Sequence, residues 1–174
     1  QWCRERNFIK LIGPVNLSTN HECGLLIDGF DTSPVIGIPY NPYYYSGYFD
    51  DWGLIKYKDL VSLRMNLPRV PEYLELAIGR INKRDRFSIR SFSLKNFDEE
   101  IDIIWRIYNE SWANNWGFIP MSKEEFIYSA NEMKNFIRPE YCFIAEISGE
   151  PVGFSLTLPD INPVLKKMNG RIFP

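Results

Sequence analysis

His21 is the only histidine in the chain, and Ser18, Asn20, Glu22 and Cys23 stand beside it in sequence. Imidazole takes and returns a proton near neutral pH, so a Ser–His or Cys–His relay could be built only on this residue. A hydrolase using His21 and Cys23 would need both side chains in one cleft with an orienting carboxylate; the alternative is an exposed histidine in a polar loop. A second candidate is Asn114-Asn115-Trp116-Gly117-Phe118. An amide pair beside an indole could hydrogen-bond a polar ligand while stacking on it. The same residues also suit a helix C-terminus, with Asn and Gly taking left-handed conformations and Trp116 filling the core edge. Asp160 and Asn162 form a third candidate: a carboxylate there could bind an amine or serve as a base, while Asp-x-Asn is also ordinary turn chemistry. Tyr43, Tyr44, Tyr45 and Tyr48 crowd one short segment and suit packing and pocket lining better than acid catalysis.

Composition narrows the chemistry these residues could serve. The 174 residues are 45% apolar and 16% aromatic, enough to bury a real core in one or two units. A net charge of −2 argues against a nucleic-acid footprint. Lys83, Arg84 and Arg86 do cluster, and read as a solvated helix end favoured by the dipole. No stretch approaches the roughly 18 consecutive apolar residues of a membrane span. Cys3, Cys23 and Cys142 are odd in number and widely spaced, with no CxxC or Cys/His pattern. Neither a metal site nor a disulfide framework is supported, and a reduced, cytoplasmic setting fits best. Cys142 lies in an apolar run and is expected to be a buried thiol. The chain opens on Gln1-Trp2-Cys3 without a signal-peptide pattern, and reads as an interior piece of a longer protein.

The elements that must position the candidates follow from periodicity. Trp2 to Arg6 reads as a last helical turn, followed by a short strand from Phe8 to Ile12 that Gly13-Pro14 ends. A polar loop, Asn16 to Glu22, leads to the apolar run Leu25-Leu26-Ile27 and a long irregular connection from Asp28 to Pro42, of the kind more often functional than random. The segment from Asn41 then reads as a short aromatic helix, Gly53 turns the chain, and Leu54 to Met65 reads as a strand. Asn66 to Pro71, with two prolines, is the best linker. A connecting helix starts at Pro71-Glu72 with Leu74, Ala77, Ile78 and Ile81 on one face, and could bridge two lobes.

Phe87 to Phe92 reads as a strand. Asn96 with Glu99, and Ser122 with Glu125, have capping-box spacing and predict two helices. The first carries Ile101, Ile104, Trp105, Tyr108 and Trp112 on one face, and its first-turn acids Asp98, Glu99 and Glu100 stabilise the dipole. The second carries Phe126, Ala130, Met133 and Ile137. Tyr141 to Ile147 is a buried strand, and Ser148-Gly149-Glu150 turns it into Val152 to Leu158.

Strand, helix, helix, hairpin resembles the opening of the GNAT-type N-acetyltransferase fold, with Ala145 to Phe154 (AEISGEPVGF) typical of its second and third strands. Asn41 to Arg64 (NPYYYSGYFDDWGLIKYKDLVSLR) resembles the closing segment of the same fold, which implies that Asn41 opens the helix. Asn109 to Phe126, Gly149 to Asn162 and Gly13 to Asp31 are similar to phrases of an uncharacterised bacterial two-lobed GNAT-like group, so the resemblance covers nearly the whole chain. It implies a mixed α/β (α+β) fold: residues 1–66 end a first GNAT-like lobe, 67–85 form a linker and connecting helix, and 86–174 begin a second lobe. The implied activity is transfer of an acyl group from acetyl-CoA or another acyl-CoA, as co-substrate, to the amine of a small molecule or peptide. Neither metal, nucleic acid nor membrane is implied as a partner.

The resemblance also implies site residues. His21 lies in the loop that would border the acceptor pocket, and Asn115 and Trp116 lie where the acceptor side of the cleft would be covered. With Asp160, Asn162 and Tyr44 these are the substrate-binding candidates. Two departures matter. The Gln/Arg-x-x-Gly-x-Gly/Ala loop that holds the cofactor pyrophosphate in the family does not occur here. Phe49 stands where many members have a tyrosine that reprotonates the thiolate, and Tyr45 and Tyr48 are out of helical phase with it. The rival expectation is therefore a catalytically inactive GNAT-like binding or scaffolding module.

Overall fold

A computed structural model describes residues 2–35, 37–66, 69–81, 86–169 and 171. Leu67 and Pro68 of the expected linker, and Lys83 and Arg84 of the basic cluster, lie outside the described residues. The described chain is mixed α and β with one three-stranded antiparallel sheet. It divides into two units, one of Gln1–Ser62, Trp116–Ile119 and Ile161–Pro174, the other of Leu63–Asn115 and Pro120–Asp160. In chain order, the first unit contributes α1 (Trp2–Glu5) and α2 (Tyr45–Asp51). The second carries α3 (Glu72–Ile81), β1 (Phe87–Ser91), α4 (Phe97–Trp112), α5 (Lys123–Met133), β2 (Cys142–Ile147) and β3 (Glu150–Leu156). A last helix, α6 (Asn162–Met168), belongs to the first unit and was not expected from the sequence. Among the described residues no helix is long and apolar enough to cross a membrane.

The second unit is built on the order β1-β2-β3, with Ile89 opposite Ala145 and Ile144 opposite Phe154. Ser148 and Gly149 join β2 to β3 with positive φ at both positions, the two-residue turn whose twist matches flanking strands. Ile144 is fully buried and Cys142 is 2% exposed, so the expected buried thiol is found. Phe92, Phe97, Ile101, Ile104, Ala130 and Ile137 complete the core around them. Burying each large side chain of this set contributes about 2 kcal/mol.

Helix α4 buries Phe97, Glu100, Ile101, Ile104 and Ile107. The expected face is thus correct at Ile101 and Ile104, whereas Trp105 and Tyr108 are half-buried on its flank and Trp112 is exposed. Trp105 donates its indole N–H to the Met121 carbonyl at 2.9 Å. The Asn109 amide brackets the same residue, donating to its carbonyl at 3.1 Å and accepting from its N–H at 2.9 Å. A buried Met121 is thereby fixed one residue before the Ser122 cap of α5, where Ser122 Oγ accepts from Glu125 N–H at 3.1 Å. The expected cap at Asn96 is not formed. Its backbone (φ −107, ψ 38) lies outside the extended region that capping needs, and Ser93 instead caps a 3₁₀ turn, Leu94–Asn96, that feeds α4.

The helices α1 and α2 of the first unit form as expected, but the strands expected at Phe8–Ile12 and at Leu54–Met65, which runs into the second unit, do not: both segments lack regular structure. A strand is stable only with a ladder to pair on, and the pairing described in the first unit is a single antiparallel bridge between Val15 and Cys23. Asn41 also differs from expectation. The N-cap position of α2 is Tyr44, without a side-chain cap. The Asn41 amide instead accepts from Leu26 N–H at 2.8 Å and donates to Leu26 O at 3.2 Å. It thus supplies to the run at Leu25–Ile27 the two bonds a neighbouring strand would make, and it is 8% exposed while doing so. The turn at Gly53 is as expected, with φ +73 and Leu54 N–H returning to Phe49 O at 3.0 Å.

Candidate functional site

The candidates of the first unit gather around two short segments. Residues 16–22 make a loop closed at its base, where Asn16 N–H donates to Glu22 O at 2.9 Å and Gly24 N–H to Pro14 O at 2.9 Å. Inside it, Ser18 is buried and accepts from Asn20 N–H at 3.1 Å, while His21 N–H donates to Ser18 O at 3.2 Å. The loop is fastened to residues 116–119 by Thr19 Oγ1 donating to Gly117 O at 2.9 Å and by the Asn20 amide donating to Ile119 O at 2.7 Å. Gly117 has φ +69, and a Cβ there would meet Thr19 Cγ2 at 3.0 Å, so close approach of the two segments requires glycine. His21 and Trp116, far apart in sequence, thus belong to neighbouring segments.

Trp116 is half-buried and packs on Tyr57, with ring centroids 5.9 Å apart. Lys10 Nζ lies 4.2 Å from the Tyr57 ring and Lys58 Nζ 5.1 Å from the Trp116 ring. The Lys10 ammonium, through hydrogen bonding and charge, holds the Tyr57 phenol below its usual range; the Trp116 indole and then Lys58 act in the same direction. Lys10, Tyr57 and Lys58 carry no motif, and sequence reasoning passed over them. The available signal was the alternation Lys56, Lys58 against Ile55, Tyr57 in an aromatic-rich stretch.

The remaining candidates are placed separately. Tyr44 stands at the start of α2, edge-on to Tyr43 at 5.7 Å and to Tyr48 at 5.6 Å. Asn162 opens α6, and its amide donates to Pro34 O at 2.5 Å, tying that helix to the long connection. Asn115 is exposed beyond the end of α4, its N–H donating to Trp112 O at 2.8 Å. Asp160 is exposed after β3.

The second unit holds a charged network that sequence reasoning also missed. Arg90 on β1 donates to Glu100 on α4 and to Glu146 on β2, each at 2.6 Å. Glu100 is therefore not simply a dipole-facing acid of the first turn, as expected: it is 4% exposed and paired, with its second carboxylate oxygen buried and unbonded. The hydrogen bonds that Arg90 donates to Glu100 and then to Glu146 raise its pKa further, fixing its charge. Among the described residues no three His, Cys, Asp or Glu side chains gather as a metal site requires.

Compared with known proteins over 99% of its length, the chain is 33% identical to Protein YghO of Escherichia coli (strain K12). Over the same share it is 30% identical to the bacterial ceramide synthase of Caulobacter vibrioides (strain NA1000 / CB15N). No family profile matches the chain, and no solved structure does. The chain spans 44% and 45% of the length of these two curated relatives.

Proposed function

We propose that this chain is part of an acyltransferase that moves an acyl group from acyl-CoA to an amine, on a GNAT-like fold, in the cytoplasm. The observation that carries the proposal is the similarity, along 99% of the chain, to a protein named a bacterial ceramide synthase. A ceramide is the amide of a long-chain amino alcohol. Forming one from a thioester means attack of a neutral amine on the carbonyl carbon, so that a C–N bond forms, the C–S bond breaks, and the amine proton goes to the departing thiolate. This is the reaction class that the GNAT resemblance implies, with the amino alcohol as one form of the acceptor.

The order β1, α4, α5, β2, β3 supports a GNAT-like lobe in the second unit. Free thiols at Cys3, Cys23 and Cys142 suit a reducing compartment. His21, Trp116, Tyr44 and Asn162 are the acceptor-side candidates of the first unit, Asn115 and Asp160 those of the second. GNAT catalysis rests mainly on positioning, and the fastening of residues 116–119 to the loop at 16–22 is the kind of constraint that positioning needs. A second reading, a binding module without catalysis, is favoured by one residue: Phe49 offers no proton where many GNAT members have a tyrosine acid.

The test is an assay of the full-length protein with acetyl-CoA and long-chain acyl-CoA against a panel of amines that includes long-chain amino alcohols. Amide product and free thiol are read together. Stoichiometric formation of both supports the proposal. A folded protein that binds acyl-CoA without forming amide supports the binding module, and one that neither binds nor reacts overturns both.

A further inference from the structure

Lys56, Lys58 and Asp59 lie close in sequence, and the acid chooses one partner: Lys56 Nζ pairs with Asp59 at 3.0 Å. Lys58 is left over the Trp116 ring at 5.1 Å, and Lys10 over the Tyr57 ring at 4.2 Å. Among the described residues neither of these two ammoniums has a carboxylate partner. They are nonetheless held in place, because the two rings that carry them pack on each other. Cation–π contact steadies an ammonium without neutralising it. The result is two ammoniums without a carboxylate partner among the described residues, each over one ring of the packed Tyr57–Trp116 pair, on a chain whose net charge is −2.

We infer that Lys10, Tyr57, Lys58 and Trp116 form a binding site for a phosphate group. The charge decides the ligand class: two unneutralised ammoniums match a phosphate monoester or diphosphate better than a single carboxylate. Lysine serves phosphate as a point charge and needs no bidentate geometry. Part of the ordering cost is met in advance, since both long side chains already lie against aromatic rings. The Tyr57 phenol, held below its usual pKa by Lys10 first, is a stronger hydrogen-bond donor than an ordinary tyrosine and can donate to a phosphate oxygen. The phosphate can belong to a soluble nucleotide, including the nucleotide end of coenzyme A, or to a lipid headgroup. The inference does not rest on the acyltransferase proposal: it concerns binding, and holds or fails whether or not amide is formed.

The experiment uses the full-length protein. Adenosine 3′,5′-bisphosphate and inorganic pyrophosphate are titrated by calorimetry at low and high salt, and vesicles of phosphatidylcholine with and without phosphatidylglycerol are tested by flotation. Binding to at least one phosphate-bearing probe is expected, weakened by salt, and weakened about tenfold in K10Q/K58Q. K10R/K58R, which keeps both charges, should restore most of it. Circular dichroism verifies that each variant is folded. Binding of the soluble probes assigns the site to a nucleotide, and binding only of phosphatidylglycerol vesicles assigns it to a headgroup. No binding of any probe, or equal binding by native protein and K10Q/K58Q, would overturn the inference.

Discussion

Arg90 and Glu100 show what one residue can decide. Glu100 is 4% exposed, and its carboxylate is satisfied on one oxygen by Arg90 at 2.6 Å. Removing the guanidinium leaves a buried charge without a partner, so Arg90→Ala is expected to cost about 3 kcal/mol. Arg90→Ala/Glu100→Gln should recover part of that loss. Urea unfolding measures both, and a double variant no more stable than the single one would contradict the account. The position of Glu100 was legible in part: it falls three residues after Phe97 and four before Ile104, on the buried side of α4. Its partner was not, because an arginine in a strand gives no sign of which helix it faces. Tyr57 supports a prediction of a different kind. With its pKa lowered chiefly by Lys10, its phenolate should form at lower pH than that of an ordinary tyrosine, seen as an early phase in phenolate absorbance. Lys10→Ala should move that phase upward. A titration indifferent to Lys10 would exclude the contact.

At the scale of elements, local rules succeeded where the chain supplies its own partners and failed where it does not. Ser122 has the extended backbone of a cap and accepts from Glu125 N–H. Ser122→Ala should destabilise the second unit by about 1 kcal/mol and fray α5 first. Unchanged stability by thermal unfolding would show that Asn109 and Met121 fix the helix start alone. β1, β2 and β3 were readable because a two-residue turn and an alternating face specify the hairpin, and because β1 pairs onto it in register. Phe8–Ile12 and Leu54–Met65 read equally well as strands by residue type, yet neither forms. Strand propensity describes a surface that suits pairing, and does not create the neighbour. Asn41 shows the substitute the fold uses, a side-chain amide that reproduces one rung of a ladder at Leu26.

For the whole molecule, the two units differ in how they are held. The second has a core with Ile144 at 0% exposure, whereas the first leaves Ile9 and Ile55 at 103% and 88%. Amide exchange should follow that difference: β2 is expected to be the slowest segment, and residues 54–62 among the fastest. Protection of 54–62 equal to that of β2 would contradict the description of the segment. Fold class was legible because helix and strand periods are local properties. The clustering of Lys10, Tyr57, Lys58 and Trp116 was not, because it joins three stretches that only tertiary structure brings together. The proposed chemistry belongs to this scale as well, since the chain spans 44% and 45% of the length of the two relatives and the proposal concerns the whole protein. It is tested most directly by mass-spectrometric detection of amide after incubating the full-length protein with acyl-CoA and a long-chain amino alcohol. The account predicts an N-acylated product formed in step with free thiol. Intact acyl-CoA and unmodified amine, recovered from protein verified to be folded, would contradict it.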